Sequence, residues 1–339
     1  MARISKGIRS RRFASFAMMP RGQATRSIPR PPERARHTPV RYIVVGLGNL
    51  GARRREILGE GCVATVDPLN QAADFASVGD CPSDTFDAAV LSVPNEAKRA
   101  LVRELMAGGK HVLVDKPLLM SPGEIDDVER VGRDTGAVCH TSYNHRHEPS
   151  VSLLANRLRD GAIGAIYHCR MVYANGTVRN VRGSWRDRGL GVVEDLGCHL
   201  VDLAGHLLDE RGTPFEPWSI QRHEANAPDH AILASRDGRI VLEMSFLSWL
   251  NTFSIDVTGE LGSLHVQGLQ KWRGSEFIER TRVFPSGAPG EVRRRFEGPD
   301  ETWQADFVAF ERACQRGESS FVNDRWISSI LYRMSEVAA

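Results

Sequence analysis

Short apolar runs recur through the first half of the chain, and segments with helical spacing fill the gaps between them. From about Pro39, strand-like runs occupy Tyr42 to Val45, CVATVDPL (62–69), AAVLSVP (88–94), HVLVDKP (111–117) and AVCHTSY (137–143). Helical patterns cover about 95–108 and 121–135, the first stopped by Gly108 and Gly109, the second started by Ser121-Pro122 with Glu124. Strands alternating with helices predict a parallel, doubly wound α/β sheet. The stretch 68–85 is short for a full helical crossover and predicts only a turn or two of helix. The second half changes character. Runs at 165–176, 229–237, 239–249, 252–260 and 262–268 follow one another through tight turns such as RDGR and GELG, which predicts an antiparallel meander. The closing WQADFVAFERACQ and WISSILYRMSEVAA read as helices. The division expected is a tail at 1–38, an α/β domain at 39–143 and an α+β domain at 144–339.

One apolar segment of the second half carries polar groups at regular steps. In GVVEDLGCHLVDLAGHLLD (191–209), Asp195, His199, Asp202 and His206 are 4, 3 and 4 residues apart. At roughly 100° per residue they fall within about 60° on one side of a helix. Such a stripe is either the wet face of an amphipathic helix or a set of groups for proton transfer or metal binding. Short acids and imidazoles in place of Lys, Glu and Arg favour the chemical reading.

Composition sets the class. At 339 residues, 41% hydrophobic and 25% charged, the chain has the balance of a globular protein. No run approaches the ~18 to 20 apolar residues of a membrane span, so no membrane association is expected. Six cysteines lack any CxxC pairing, which argues against a zinc ribbon, a redox dithiol or a disulfide scaffold and suggests reduced thiols in the cytoplasm. The formal charge of +2 hides an asymmetry. Residues 1–41 hold ten Arg and one Lys against Glu33 alone, while the rest carries 33 basic and 41 acidic groups. The tail, with four prolines before residue 39, is expected to be disordered. Its SRRFASF (10–16) is similar to a twin-arginine signal, but only FASFAMM precedes Pro20, too short for an export segment. A start at Met18 or Met19 accounts for it more simply. The acidic body offers no matching surface for nucleic acid.

Candidate chemistry begins at VRYIVVGLGNLG. Gly46, Gly48 and Gly51 follow a strand and open a helix, the context a dinucleotide-binding GxGxxG needs. Asp67, 21 residues after Gly46, ends the next strand, where an acid accepts from the adenosine ribose 2′-hydroxyl. No Arg or Lys follows in DPLNQAA, so NAD is expected over NADP. Lys116 ends an apolar strand, at the carboxyl edge where open α/β sheets bind ligands, although by spacing alone it reads as a surface lysine that begins a loop.

GLGNLG, SVPNEAK, VDKPL, YNHRHEP, DGAIGAI, GLGVVEDLGCHLVDL and DVTGELGSL, in this order, resemble the Gfo/Idh/MocA oxidoreductases, the group containing glucose-fructose oxidoreductase and inositol dehydrogenase. The likeness covers about residues 40–335. It implies a Rossmann domain that binds NAD(P), and a C-terminal domain whose open, mainly antiparallel sheet often mediates homodimers or homotetramers. The family's EKP lysine falls on Lys116, and its Asp and His, four apart on a helix, fall on Asp195 and His199. Motif and resemblance together imply cofactor contacts from Gly46, Gly48, Asn49, Leu50, Gly51, Asp67, Ser92, Pro94, Asp115 and Lys116. Two departures stand out: Asp115 replaces the usual glutamate, and Lys98 lies near the place of the usual histidine. The implied activity is NAD-dependent oxidation of a sugar, cyclitol or sugar derivative. The alternative is a glycoside hydrolase that retains NAD and acts by transient oxidation. His199 suits a general base, Lys116 a donor to the developing alkoxide, and Asp195 a partner to substrate or imidazole. Asn144, Arg146, His147, Tyr173, Asn175, Trp185 and Arg186 are polar candidates for substrate hydroxyls, whereas Asp202 reads as structural and His206 as structural or exposed. With that resemblance no metal is required.

Overall fold

The computed structural model describes residues 40–338, so the tail read at 1–38 lies outside the described residues. β1 (Tyr42–Val45), β2 (Cys62–Val66), β3 (Ala88–Leu91), β4 (His111–Asp115) and β5 (Cys139–Ser142) form a parallel sheet in the order β2-β1-β3-β4-β5. Three helices connect them: α1 (Asn49–Leu58), α2 (Asn95–Ala107) and α3 (Pro122–Thr135). Ser121 and Glu124 close the expected capping box at the start of α3. Between β2 and β3 there is one 3₁₀ turn, Val78–Asp80. Alternate strand residues face opposite sides. Ile43, Val45, Ala89 and Leu91 pack on Val102, Leu105 and Met106 of α2 and on Ile125 and Val128 of α3. Tyr42, Val44, Ala88 and Val90 face the other way. The strand order reverses between β1 and β3, which opens the ligand crevice at their carboxyl ends.

The chain continues through α4 (Pro149–Arg159), β6 (Ile166–Ala174), the single turn α5 (Val178–Val181) and α6 (Cys198–Leu208). The remaining strands are β7 (Phe215–Gln221), β8 (His230–Ser235), β9 (Ile240–Ser245), β10 (Thr252–Gly259), β11 (Gly262–Leu269), β12 (Gly274–Thr281) and β13 (Gly290–Phe296), with a short α7 (Gln270–Arg273) between β11 and β12. Two helices, α8 (Thr302–Arg316) and α9 (Phe321–Ala338), close the described chain.

The eight strands order as β13-β12-β11-β10-β6-β9-β8-β7, mainly antiparallel. This corrects the simple meander, because β6 inserts between β9 and β10 and runs parallel to β9. The sequence reading also missed β7, β12 and β13. β7 carries Pro217 and a register shift at an edge, and β13 is an exposed, Arg-rich edge, so neither shows clean alternation. β10 alternates strictly between buried and half-buried positions. Its buried face, with Leu242, Met244 and Phe253, packs on Val151 and Leu154 of α4 and on Leu200 and Leu203 of α6. The other face of the sheet is largely polar. α8 crosses back to the first sheet, where Phe307 and Phe310 pack on Tyr42. The last helices therefore bind the two sheets together.

Candidate active site

The glycine turn after β1 is shaped by close backbone approach. Gly46 has φ +89°, and a Cβ there would meet the Ser92 carbonyl oxygen at 2.4 Å. A Cβ on Gly51 would lie 1.7 Å from the Gly46 carbonyl oxygen. Around Gly48, in contrast, a Cβ would meet nothing within 4 Å. Two glycines thus allow the turn and helix to pack, and the third faces open space. Gly48 is the N-cap of α1, and no side chain caps that end. Its free N–H groups and the helix dipole make a seat for a pyrophosphate. Asn49 and Leu50 form the first turn of α1. Asp67 accepts from the backbone N–H of Leu47 at 2.7 Å and of Leu69 at 2.8 Å, which holds its carboxyl below the usual range. It stands beside a groove lined by Leu47, Arg55 and Asn70. These features fit a bound dinucleotide. Arg55 is a nearby cation that reading DPLNQAA alone did not consider.

At the end of β4, Asp115 is nearly buried and fully engaged. Its carboxylate accepts from Arg54 at 2.7 Å and from Ser92 at 2.6 Å. Arg54 is completely buried and also reaches Asp306 of α8 at 3.2 Å. Lys98 donates to the carbonyls of Asp115 at 2.6 Å and Pro117 at 2.7 Å, on either side of Lys116. Burial pulls Lys98 down to about 8, against the opposing pull of Asp115. Lys98 therefore fixes the loop that presents Lys116. Pro94, the N-cap of α2, closes the same edge.

Lys116 spans to the second half of the chain. Its ammonium donates to the Asp195 carbonyl at 2.5 Å and carboxylate at 2.9 Å. Arg186 donates to the other Asp195 oxygen at 2.7 Å. Burial disfavours both charges of the Lys116–Asp195 pair, but their mutual attraction outweighs it: Lys116 sits above the usual lysine value, and Asp195 below the usual carboxylate value. Both are ionised at neutral pH.

The local backbone departs from the uniform helix assumed for the polar stripe. Val193–Gly197, which holds Asp195, is a π-helical turn, and α6 starts only at Cys198. A Cβ on Gly197 would come 2.7 Å from the sulfur of Met244, so the wide turn sits directly on β9. Such turns re-aim side chains and recur at functional sites.

His199, in the first turn of α6, is buried in an aromatic nest. Its ring centroid lies 4.2 Å from His145, 5.9 Å from Tyr143 and 6.0 Å from Tyr173. Nδ1 of His199 and Nε2 of His145 have no partner among the described residues. Burial first, then the neighbouring His145, Lys116 and Lys271, hold His199 well below 6.5, so the imidazole is neutral.

These groups share one cleft of ≈ 370 Å³ between the sheets. Of the residues read from sequence, Leu50, Asp115, Lys116, Asn144, Tyr173, Asn175, Trp185, Arg186, Asp195 and His199 line it. Asn144 does so with its amide engaged, donating to Thr302 at 2.8 Å and lying 3.1 Å from His145 Nδ1. Arg146 is not brought there. It pairs with Asp202, its Nε donating at 2.7 Å, and lines a separate cavity with His147 and His206. Asp195 and His206 thus face different cavities, which separates the groups of the metal reading. His145, Lys271 and Trp303 line the active cleft and were not anticipated. His145 lay inside the quoted YNHRHEP, but Lys271, in the β11–β12 link, gave no signal.

Comparison with known proteins agrees with the fold. Residues 40–143 match the model of an oxidoreductase family with an NAD-binding Rossmann fold, and residues 151–265 match the Gfo/Idh/MocA C-terminal domain. The chain belongs to the Gfo/Idh/MocA family. It is 27% identical over 189 residues to the uncharacterized oxidoreductase YdgJ of Escherichia coli (strain K12), covering 54% of each chain. It is 26% identical over 147 residues to levoglucosan dehydrogenase of Pseudarthrobacter phenanthrenivorans (strain DSM 18606 / JCM 16027 / LMG 23796 / Sphe3), covering 42% of this chain and 37% of that one. The chain thus matches about half or less of the length of these curated relatives. An inositol dehydrogenase homolog from Azotobacter vinelandii, solved with NADH and myo-inositol, superposes with a TM-score of 0.70 at 17% identity, covering 89% of this chain and 96% of that one. The Gfo/Idh/MocA fold therefore extends through nearly all the described residues.

Proposed function

We propose that this protein is an NAD-dependent oxidoreductase acting on a secondary alcohol of a sugar, cyclitol or sugar derivative. The observation that carries this reading is the meeting of a charged Lys116 and a neutral His199 in one cleft, beside a glycine turn suited to a dinucleotide. Bound NAD would supply the hydride acceptor. The protein must then manage one proton. His199 accepts it from the substrate hydroxyl, a contribution of about 10² to 10⁴ in rate. Lys116 donates a hydrogen bond to the same oxygen as its negative charge develops. Asp195 holds Lys116 in place and keeps it protonated. The α1 N-terminus and the Gly46 turn would hold the pyrophosphate, and Asp67 would take the ribose hydroxyl and disfavour a 2′-phosphate.

Levoglucosan dehydrogenase and the myo-inositol complex support a polyol as the substrate class. All six cysteines are free, in keeping with a cytoplasmic protein. The polar face of the eight-stranded sheet is the surface through which we expect homodimers or homotetramers to form, which light scattering after gel filtration would check. The main test is a screen of polyols, aldoses, inositols and sugar nucleotides for reduction of added NAD. Reduction with at least one class is expected. Cleavage of aryl glycosides by protein that retains its nucleotide, with no added NAD, would instead favour the hydrolase.

A further inference from the structure

The cleft holds more positive than negative charge. Lys116, Arg186, Arg53 and Lys271 line it, against Asp115 and Asp195. Asp115 is already matched by the buried Arg54 behind it. Asp195 is shared between Lys116 and Arg186, one carboxylate for two cations. Arg53 reaches Asp300 at 3.2 Å. Lys271 has no carboxylate within ion-pair reach among the described residues. Its ammonium donates instead to the Tyr173 hydroxyl at 3.0 Å, and lies 5.0 Å from the Trp272 ring centroid.

The carboxylates nearest Lys271 are otherwise engaged. Asp300 accepts from the backbone N–H and hydroxyl of Thr302, and Glu148 accepts from Gln270 and Ser275. Lys271 is exposed at the mouth of the cleft, and the protein packed around it pulls it down to about 8 by desolvation, with Lys116 adding to the fall and Asp300 and Asp195 opposing it. Arg186 spends only Nε on Asp195, so its two Nη groups have no partner among the described residues. A neutral polyol would leave the Lys271 ammonium and the Arg186 Nη groups to water at the cleft mouth, whereas an anionic oxygen group would pair with them through charge-assisted hydrogen bonds.

We infer, building on the oxidoreductase reading, that the substrate carries an anionic group, a carboxylate or a phosphate monoester, held by Lys271 and the free Nη groups of Arg186. The test compares kcat/KM of the full-length protein with NAD on matched pairs: aldose and uronic acid, aldose and sugar phosphate, inositol and inositol monophosphate. The anionic member should exceed the neutral one by about 10- to 100-fold, and the productive pair distinguishes carboxylate from phosphate. Lys271→Met should collapse that ratio and Lys271→Arg should restore part of it, with thermal melts run alongside to confirm folding. Equal or better turnover of the neutral members, or an unchanged ratio in Lys271→Met, overturns the inference and leaves the oxidoreductase reading intact. If nothing reduces NAD, the oxidoreductase reading fails instead. Calorimetric titration of the same anionic sugars then decides the inference: tighter binding by wild type than by Lys271→Met supports it, and equal binding overturns it.

Discussion

Asp195 and His199 at one end of the polar stripe, and Asp202 and His206 at the other, are the same residue types seven positions apart, yet the first pair lines one cleft and His206 another cavity. Asp195 faces a cleft and holds two cations that also border it. Asp202 is 1% exposed and joins Arg146 to Asn323 of α9, which donates at 2.8 Å. His199 is buried and neutral with an unpartnered nitrogen, whereas His206 opens onto the other cavity. Periodicity decides which side of a helix a residue takes. Its partners, which come from distant segments, decide whether it does chemistry or joins elements.

The sharpest way to break this contrast is mutation at both ends. His199→Asn should lower kcat by about 10² to 10⁴ and scarcely alter the melting temperature. Near-normal turnover would remove His199 from the role of base. Asp202→Ala should show the opposite pattern. Removing one partner of a buried ion pair costs about 3 to 5 kcal/mol of stability, measured by denaturant titration, while kcat of the folded fraction changes little. A loss of turnover without a loss of stability would show that both ends of the stripe serve the reaction.

The next test uses pH. Because His199 is held well below 6.5, it stays unprotonated through neutral pH, and the acid limb of kcat/KM should fall below pH 6.5. A limb at or above that value would point to a different base. Cofactor choice gives a smaller effect. Asp67→Ser should narrow the preference for NAD over NADP by about tenfold, with Arg55 on the same groove to meet the extra phosphate.

A last test concerns Asp324, one turn into α9. Burial raises it from 3.8 to about 7, only partly opposed by its bond to Ser320. The folded state therefore keeps a proton that the unfolded chain has released, and stability falls as pH rises from about 4 through 7. Asp324→Asn should raise the melting temperature more at pH 8 than at pH 5; an equal gain at both would place its charge elsewhere.

What could be read from the sequence follows from how local each feature is. The Gly46 turn and the Asp67 strand end follow from spacing within one βαβ unit, so the pattern revealed them, whereas spacing alone read Lys116 as a surface lysine and its role came from the family resemblance. Asp195 and His199 were legible as a pair, although the π turn that holds Asp195 was not: there Gly197 packs on Met244, a residue of the distant β9. Arg146 looked like a ligand for hydroxyls because its partner, Asp202, lies 56 residues away. Lys271 reaches the cleft only through the β11–β12 link, and nothing nearby in sequence marks it. The edge strands escaped for local reasons: Pro217 and a register shift interrupt β7, and exposure on both sides removes the alternation of β13.

The central claim is that a lysine from the first sheet and a histidine from α6 act on one oxygen atom. A crystal structure of the protein with NADH and a turned-over polyol measures this directly. The expected result is one substrate oxygen within about 3 Å of both the Lys116 ammonium and a ring nitrogen of His199. A substrate whose reacting oxygen touches neither, or only one of them, would contradict the account.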